Sequence, residues 1–167
     1  ERLMIKAGIC GYGGLGHLHA NSLAKMDDVQ LCAVCDIRRE QLEAKDVEIN
    51  LQTDTNTFDI QTARTYLDFN EMLAQEDLDV VVTALPTDLH ADYAVKALES
   101  GCHVFSEKPM ALTAEQADTM IAARERSGKQ LMVGQCLRFW PEYNALLEVI
   151  RDERYGKLQS LVMERIG

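Results

Sequence analysis

Residues 11–16 read Gly11-Tyr12-Gly13-Gly14-Leu15-Gly16, a G-x-G-x-x-G that follows an apolar run and opens a helical stretch. Glycine turns in that setting cradle phosphates. Gly11 permits a sharp turn, Gly13 lets the backbone approach an anion, and Gly16 lets the helix pack closely on the preceding strand. The N–H groups that open the helix then face the bound charge. Asp36 stands 20 residues past Gly16, directly after the apolar run Leu31–Cys35. A carboxylate at the end of a second strand can accept both hydroxyl hydrogens of an adenosine ribose. Strand, glycine turn, helix, strand and acid in this order predict a dinucleotide pocket.

The hydrophobic pattern supplies the elements that must position these groups. Leu3–Cys10 is a strand and Leu15–Lys25 a helix, followed by a charged helix over 38–46. Residues 47–64 are polar and are expected to form a loop or short insertion. A strand at Thr65–Leu67, a helix at Asn70–Gln75 and a strand at Val80–Leu85 follow, the last stopped by Pro86. Ala91–Ser100 is a helix ended by Gly101, and Cys102–Phe105 is a fifth strand. Thr113 and Gln116 form a capping box for a helix reaching Ser127. Gln130–Leu137 is a sixth strand, and Pro141 opens a helix with Leu146, Leu147 and Ile150 on its inner face, ended by Gly156. Leu158–Ile166 is expected as one further strand. The alternation predicts an α/β fold, a Rossmann-type doubly wound parallel sheet of order 3-2-1-4-5-6. Its ligand lies over the C-terminal ends of strands one and four, where Gly11–Gly16 and Leu85–His90 fall, beside Asp36 and Glu107–Pro109.

Bulk composition narrows the partners. At 167 residues, 47% hydrophobic and 26% charged, the chain is an ordinary globular protein with a sizeable core. Lys and Arg number 17 against 27 acids, a net charge of −10, so neither nucleic acid nor an anionic membrane is an expected partner. No apolar run reaches membrane-spanning length, and the first residues lack a signal-peptide pattern. Cys10, Cys32, Cys35, Cys102 and Cys136 read as buried free thiols of a cytoplasmic protein. Cys32 and Cys35 form a C-x-x-C. On a regular strand they point to opposite faces, and no second pair completes a zinc site, so no metal is expected.

Glu107-Lys108-Pro109 after the fifth strand, together with the G-x-G-x-x-G-x-x-H of Gly11–His19, resembles the Gfo/Idh/MocA family. These are dehydrogenases related to glucose–fructose oxidoreductase and inositol dehydrogenase. Pro86-Thr87-Asp88-Leu89-His90, Gly101-Cys102-His103-Val104 and Arg138-Phe139-Trp140-Pro141 extend the resemblance from Leu3 to Gly167. It implies a cofactor domain over 1–156 and, at 157–167, the start of a C-terminal α+β domain. That domain is otherwise absent here, with its D-x-x-x-H proton donor, so catalysis is expected to be incomplete in this chain. It also implies that Lys108 is catalytic beside the nicotinamide, that Glu107 meets the nicotinamide ribose, and that His19 supports the phosphate-loop helix. Full-length members are often homo-oligomers acting on small sugar-like substrates. Pro109 is expected to follow a cis peptide bond.

The candidate cofactor contacts are Gly11, Tyr12, Gly13, Gly14, Leu15, Gly16, Asp36, Ile37, Arg38, Ala84, Leu85, Pro86, Thr87, His90, Glu107, Lys108 and Gln135. Asp36 repels the 2′-phosphate of NADP, whereas Arg38 and Arg39 could accommodate it; NAD is the favoured cofactor and NADP the alternative. His90 could touch the cofactor, cap its helix or pack. His17 and His19, two apart on a helix, cannot share a metal, and His103 is read as structural. Gln135 and Arg138 could reach the substrate side, and Trp140 is expected to pack. The leading function is hydride transfer between nicotinamide and a secondary alcohol of a sugar or cyclitol. The alternative is a non-catalytic dinucleotide-binding sensor module. A methyltransferase is discounted, because Gly8, Ile9 and Cys10 stand where that class carries an acid.

Overall fold

Short apolar runs alternating with amphipathic stretches fold, in the computed structural model, into a six-stranded parallel sheet flanked by helices. The structure describes residues 4–43 and 58–164. The chain divides into two compact units, Glu1–Gly134 and Gln135–Gly167. The first holds β1 (Ile5–Cys10), β2 (Val29–Cys35), β3 (Arg64–Tyr66), β4 (Val80–Thr83), β5 (His103–Ser106) and β6 (Leu131–Val133). Its helices are α1 (Gly14–Leu23), α2 (Arg39–Glu43), α3 (Phe69–Gln75), α4 (His90–Glu99) and α5 (Ala114–Ser127). The strand order is β3-β2-β1-β4-β5-β6, as the sequence predicts. No helix among the described residues is long and apolar enough to cross a membrane.

A parallel sheet is buried on both faces, which is why its inner strands carry apolar runs such as Leu31–Cys35 and Val80–Val82. Ile9, Ala20, Val34 and Val82 pack on one face. Val81, Ala94, Leu98, Val104 and Met120 pack on the other. Each fully buried Val, Leu, Ile or Met side chain among them contributes about 1.5–3 kcal/mol relative to exposure.

Chain punctuation sets the helix ends. Asp68 caps α3 by accepting from Glu71 N at 2.8 Å. Thr113 Oγ1 caps α5 by accepting from Gln116 N at 3.3 Å. The Gln116 side chain reaches back to Leu112 N at 3.1 Å, one residue earlier than a capping box predicts. Gly128, at φ +67°, closes α5 in the left-handed conformation.

Several expectations change. The helix expected over 38–46 is α2, Arg39–Glu43; Arg38 precedes it, and residues 44–46, with 47–57 of the expected loop, lie outside the described residues. Within that loop expectation, Ile60–Thr62 form a 3-10 turn. β6 covers only Leu131–Val133, because the ladder ends at Ser106–Val133 and the chain coils into a 3-10 turn at Cys136–Phe139. In the second unit α6 (Pro141–Arg151) begins at the expected proline but buries none of its residues. Leu146 and Ile150 are half-buried and Leu147 is exposed, so the expected inner face is not covered within that unit. Of the strand expected at 158–166, residues 158–164 form none, with no partner strand among the described residues of that unit, and 165 and 166 lie outside the described residues.

β2 carries an irregularity that the sequence does not announce. Ala7 pairs with Leu31, whereas Gly8 pairs with Ala33, so Cys32 is an extra residue. Alternation breaks there, and Cys32 and Cys35 both pack on the same face of the sheet rather than opposite ones. All five cysteines are free thiols; Cys136 is exposed and Cys32 half-buried, against the expected burial.

Candidate cofactor site

The sheet's register builds the site. Where the ladders of β1, β2, β4 and β5 end, the next residue of each strand still bonds to its neighbour. Gly11 N donates to Cys35 O at 2.8 Å, Asp36 N to Tyr66 O at 3.1 Å, Ala84 N to Cys10 O at 2.8 Å and Glu107 N to Thr83 O at 3.0 Å. Gly11, Asp36, Ala84 and Glu107 therefore form one row along the C-terminal edge, at the switch point between β1 and β4.

Gly11 has φ +91°, a conformation that favours glycine, and a Cβ there would collide with the Ala84 carbonyl. A Cβ on Gly16 would collide with the Gly11 carbonyl. Gly13 differs: nothing lies within 4 Å of the place its Cβ would occupy. Gly13 is also the N-cap of α1 and offers no side-chain cap, so the first-turn N–H groups, including those of Gly14, Leu15 and Gly16, have no intrahelical acceptor. Open space over Gly13 and an uncapped helix start fit a pyrophosphate.

Asp36 is buried, and both carboxylate oxygens are held by backbone. Oδ2 accepts from Tyr12 N at 2.8 Å and Oδ1 from Arg38 N at 2.9 Å. The acid thus ties the glycine turn to the end of β2, and each oxygen keeps a lone pair for a ribose hydroxyl. Arg38 Nε lies 3.8 Å from Asp36 Oδ1, an ion pair at the cleft. A cleft of 290 Å³ runs between these residues, walled by Gly11, Gly13, Asp36, Ile37, Arg38 and the Ala84–Pro86 turn, with Phe69, Leu89 and Tyr93 as apolar lining. Flat apolar walls beside an anchored carboxylate suit an adenosine. Cys10 and Cys35 also line it. The Cys35 thiol beside it, and then burial, push the Cys10 thiol far above its ordinary range, so Cys10 offers no thiolate to the cleft.

Three candidates depart from expectation or narrow it. The Tyr12 side chain is buried and stacked on His17, ring centroids 4.0 Å apart, so only its backbone can meet a ligand. Burial pushes its phenol up to about 12. His90 is 1% exposed with both ring nitrogens against backbone carbonyls, so its ring is packed between two loops, one of the alternatives read for it. Lys108 is exposed rather than partly desolvated by the described residues.

The turn after β5 contains a cis Lys108–Pro109 bond, as expected. Glu107 Oε1 pairs with His19 Nε2 at 2.9 Å, and its Oε2 accepts from Lys108 N at 3.1 Å. His19 in turn stands edge-on to Phe105. The His19–Glu107 pair joins the end of the glycine motif to the E-K-P. Only the shared motif pattern hinted at it in the sequence. Thr87 sits half-buried in the 3-10 turn before α4. His103 is structural, its Nδ1 accepting from Gln130 N at 2.9 Å. Gln135, Arg138 and Trp140 belong to the second unit, where all three are exposed and Trp140 meets Tyr143 edge-on.

A family model described as an oxidoreductase family with an NAD-binding Rossmann fold matches residues 5–135. The chain belongs to the Gfo/Idh/MocA family. An inositol 2-dehydrogenase of Salmonella paratyphi B is 32% identical over 157 residues, 93% of this chain and 44% of that Gfo/Idh/MocA relative. A glycosyl hydrolase family 109 protein of Shewanella baltica is 28% identical over 93% of this chain and 33% of its own length. The WlbA dehydrogenase of Chromobacterium violaceum, solved with NADH and UDP-GlcNAcA, matches with a TM-score of 0.80 at 29% identity, covering 93% of this chain and 42% of that one. The scyllo-inositol dehydrogenase of Lactobacillus casei, solved with NAD(H) and scyllo-inositol, gives 0.77 at 26%, over 92% and 42%. This chain spans 33% to 44% of the length of these relatives.

Proposed function

We propose that the chain is the cofactor-binding part of an NAD-dependent oxidoreductase that acts on a secondary alcohol of a sugar or cyclitol. The observation that carries this reading is the row Gly11, Asp36, Ala84 and Glu107 along one sheet edge, with Asp36 already anchored in the cleft. The substrate class is supported by the relatives, whose names and complexes point to inositols, a glycoside and a nucleotide sugar.

Each residue has a part in that chemistry. The Gly13–Gly16 amides hold the pyrophosphate, and Asp36 holds the adenosine ribose. The Asp36 carboxylate repels a 2′-phosphate, and Arg38 is already drawn to it, so NAD is preferred over NADP. When bound, the nicotinamide gives or receives the hydride. Glu107, oriented by His19 and by Lys108 N, would hold the nicotinamide ribose. The Lys108 ammonium donates to the alcohol oxygen and stabilises the negative charge that grows there as the O–H proton leaves. In this reading a second domain, expected to open at 157–167, would supply most substrate contacts and the proton acceptor; the support is that this chain spans only 33% to 44% of the length of its relatives.

Calorimetric titration with NADH and NADPH tests the reading. Tighter NADH binding is expected; binding of neither would sink the cofactor assignment. In the longer protein, NADH formation with a panel of sugars and cyclitols tests the chemistry. Binding without turnover there would favour a sensor module.

A further inference from the structure

Lys108 lies between two tethers. Glu107, before it, is bonded to His19 of α1, and Pro109, after it, is bonded to His90 of α4. The second tether has unusual chemistry. His90 Nδ1 lies 2.7 Å from the Pro109 carbonyl oxygen, and Nε2 lies 2.8 Å from the Leu85 carbonyl oxygen. A carbonyl oxygen only accepts, so each contact is a hydrogen bond only when the facing ring nitrogen carries a hydrogen. A neutral imidazole has one N–H. Its other nitrogen would then aim a lone pair at a carbonyl oxygen within hydrogen-bond distance, where water has almost no access.

We infer that His90 is a positioning residue with both ring nitrogens protonated, a clamp that ties the Leu85 turn of the cofactor cleft to the Pro109 carbonyl of the Lys108 turn. Each N–H then donates to a carbonyl oxygen, at 2.7 Å to Pro109 and 2.8 Å to Leu85. The loops after β4 and β5 start from the Glu107 N–Thr83 O bond at the sheet edge, and beyond it the ring sets the spacing between the cofactor wall and the proposed catalytic lysine. The significance of that spacing rests on the function proposed above; the clamp itself does not.

Substitution can cut the two bonds separately. An asparagine amide nitrogen falls near the place of Nδ1, and a glutamine amide nitrogen near that of Nε2. His90→Asn therefore keeps the bond to Pro109 and frees Leu85, and His90→Gln does the reverse. The first measurement is a long-range proton–nitrogen spectrum of the histidine-labelled chain at neutral pH. Two protonated, exchange-protected nitrogens on His90 are expected; one unprotonated nitrogen overturns the inference. The second compares the variants. His90→Asn is expected to weaken NADH binding about fivefold, the worth of one hydrogen bond, and to leave the Lys108 amide resonance in place. His90→Gln is expected to shift that resonance and to keep NADH affinity within about twofold. Variants that behave alike in both readings overturn the clamp. Should the parent chain bind no NADH, the function proposed above falls, while the ring spectrum and the Lys108 resonance still decide the clamp.

Discussion

Three glycines of one hexapeptide answer to different constraints, and single methyl groups can tell them apart. Gly11 and Gly16 are glycine because a Cβ would strike backbone carbonyls, whereas Gly13 has open space and ordinary backbone angles. Gly16→Ala should therefore cost stability, about 1–3 kcal/mol for strain at a site that cannot relax, and the loss appears in urea denaturation. Gly13→Ala should unfold within about 0.5 kcal/mol of the parent, yet weaken NADH at least about tenfold because the methyl occupies the phosphate's approach. A Gly13→Ala chain that binds NADH normally would place the pyrophosphate elsewhere. Asp36→Ala removes a carboxylate that serves both the fold and the ligand. It strands the Tyr12 and Arg38 amides, so both the melting temperature and NADH affinity should fall. With the repulsion gone and Arg38 released, the preference for NADH over NADPH should narrow, which paired titrations would show.

At the scale of elements, α1 is tied to the glycine turn partly through His17, which stacks on Tyr12 with an unpartnered buried Nε2. Burial lowers the proton affinity of this ring below its ordinary value of 6.5. The unfolded chain then binds more protons than the folded one, so stability is full above about pH 7 and falls as pH drops through the unfolded value. Urea midpoints should decrease between neutral and mildly acid pH, and His17→Phe, which keeps the ring, should flatten part of that slope. An unchanged slope would mean that the ring is not kept neutral. The helices and strands themselves were mostly legible, because periodicity and caps are local: the place of Asp36 directly after β2, the helix starts at Pro141 and Thr113, and the strand order all stand as read. What escaped the sequence depends on distant partners. His19 and Glu107 are 88 positions apart, and nothing local marks their pairing. The extra residue at Cys32 follows from the register against β1, and the role of His90 from two loops that meet only in the fold.

The whole molecule sets one further term against its own site. A chain of net charge −10 must bind a dinucleotide that is itself anionic. Attraction at the glycine turn is short-ranged, made of amide groups that nearly touch the phosphates. Repulsion from the surrounding acids acts over the Debye length, about 30 Å at 0.01 M salt and about 8 Å at physiological ionic strength. Added salt therefore removes the long-range repulsion while leaving most of the contact attraction, since close partly buried interactions are screened less. NADH association should accelerate as salt rises over that range, with little change in the dissociation rate, in stopped-flow measurements. A rate that falls with salt would mean that the cleft focuses positive potential outward despite the net charge, and Arg38 and Lys108, at the two ends of the site row, would be the first charges to remove in tracing it.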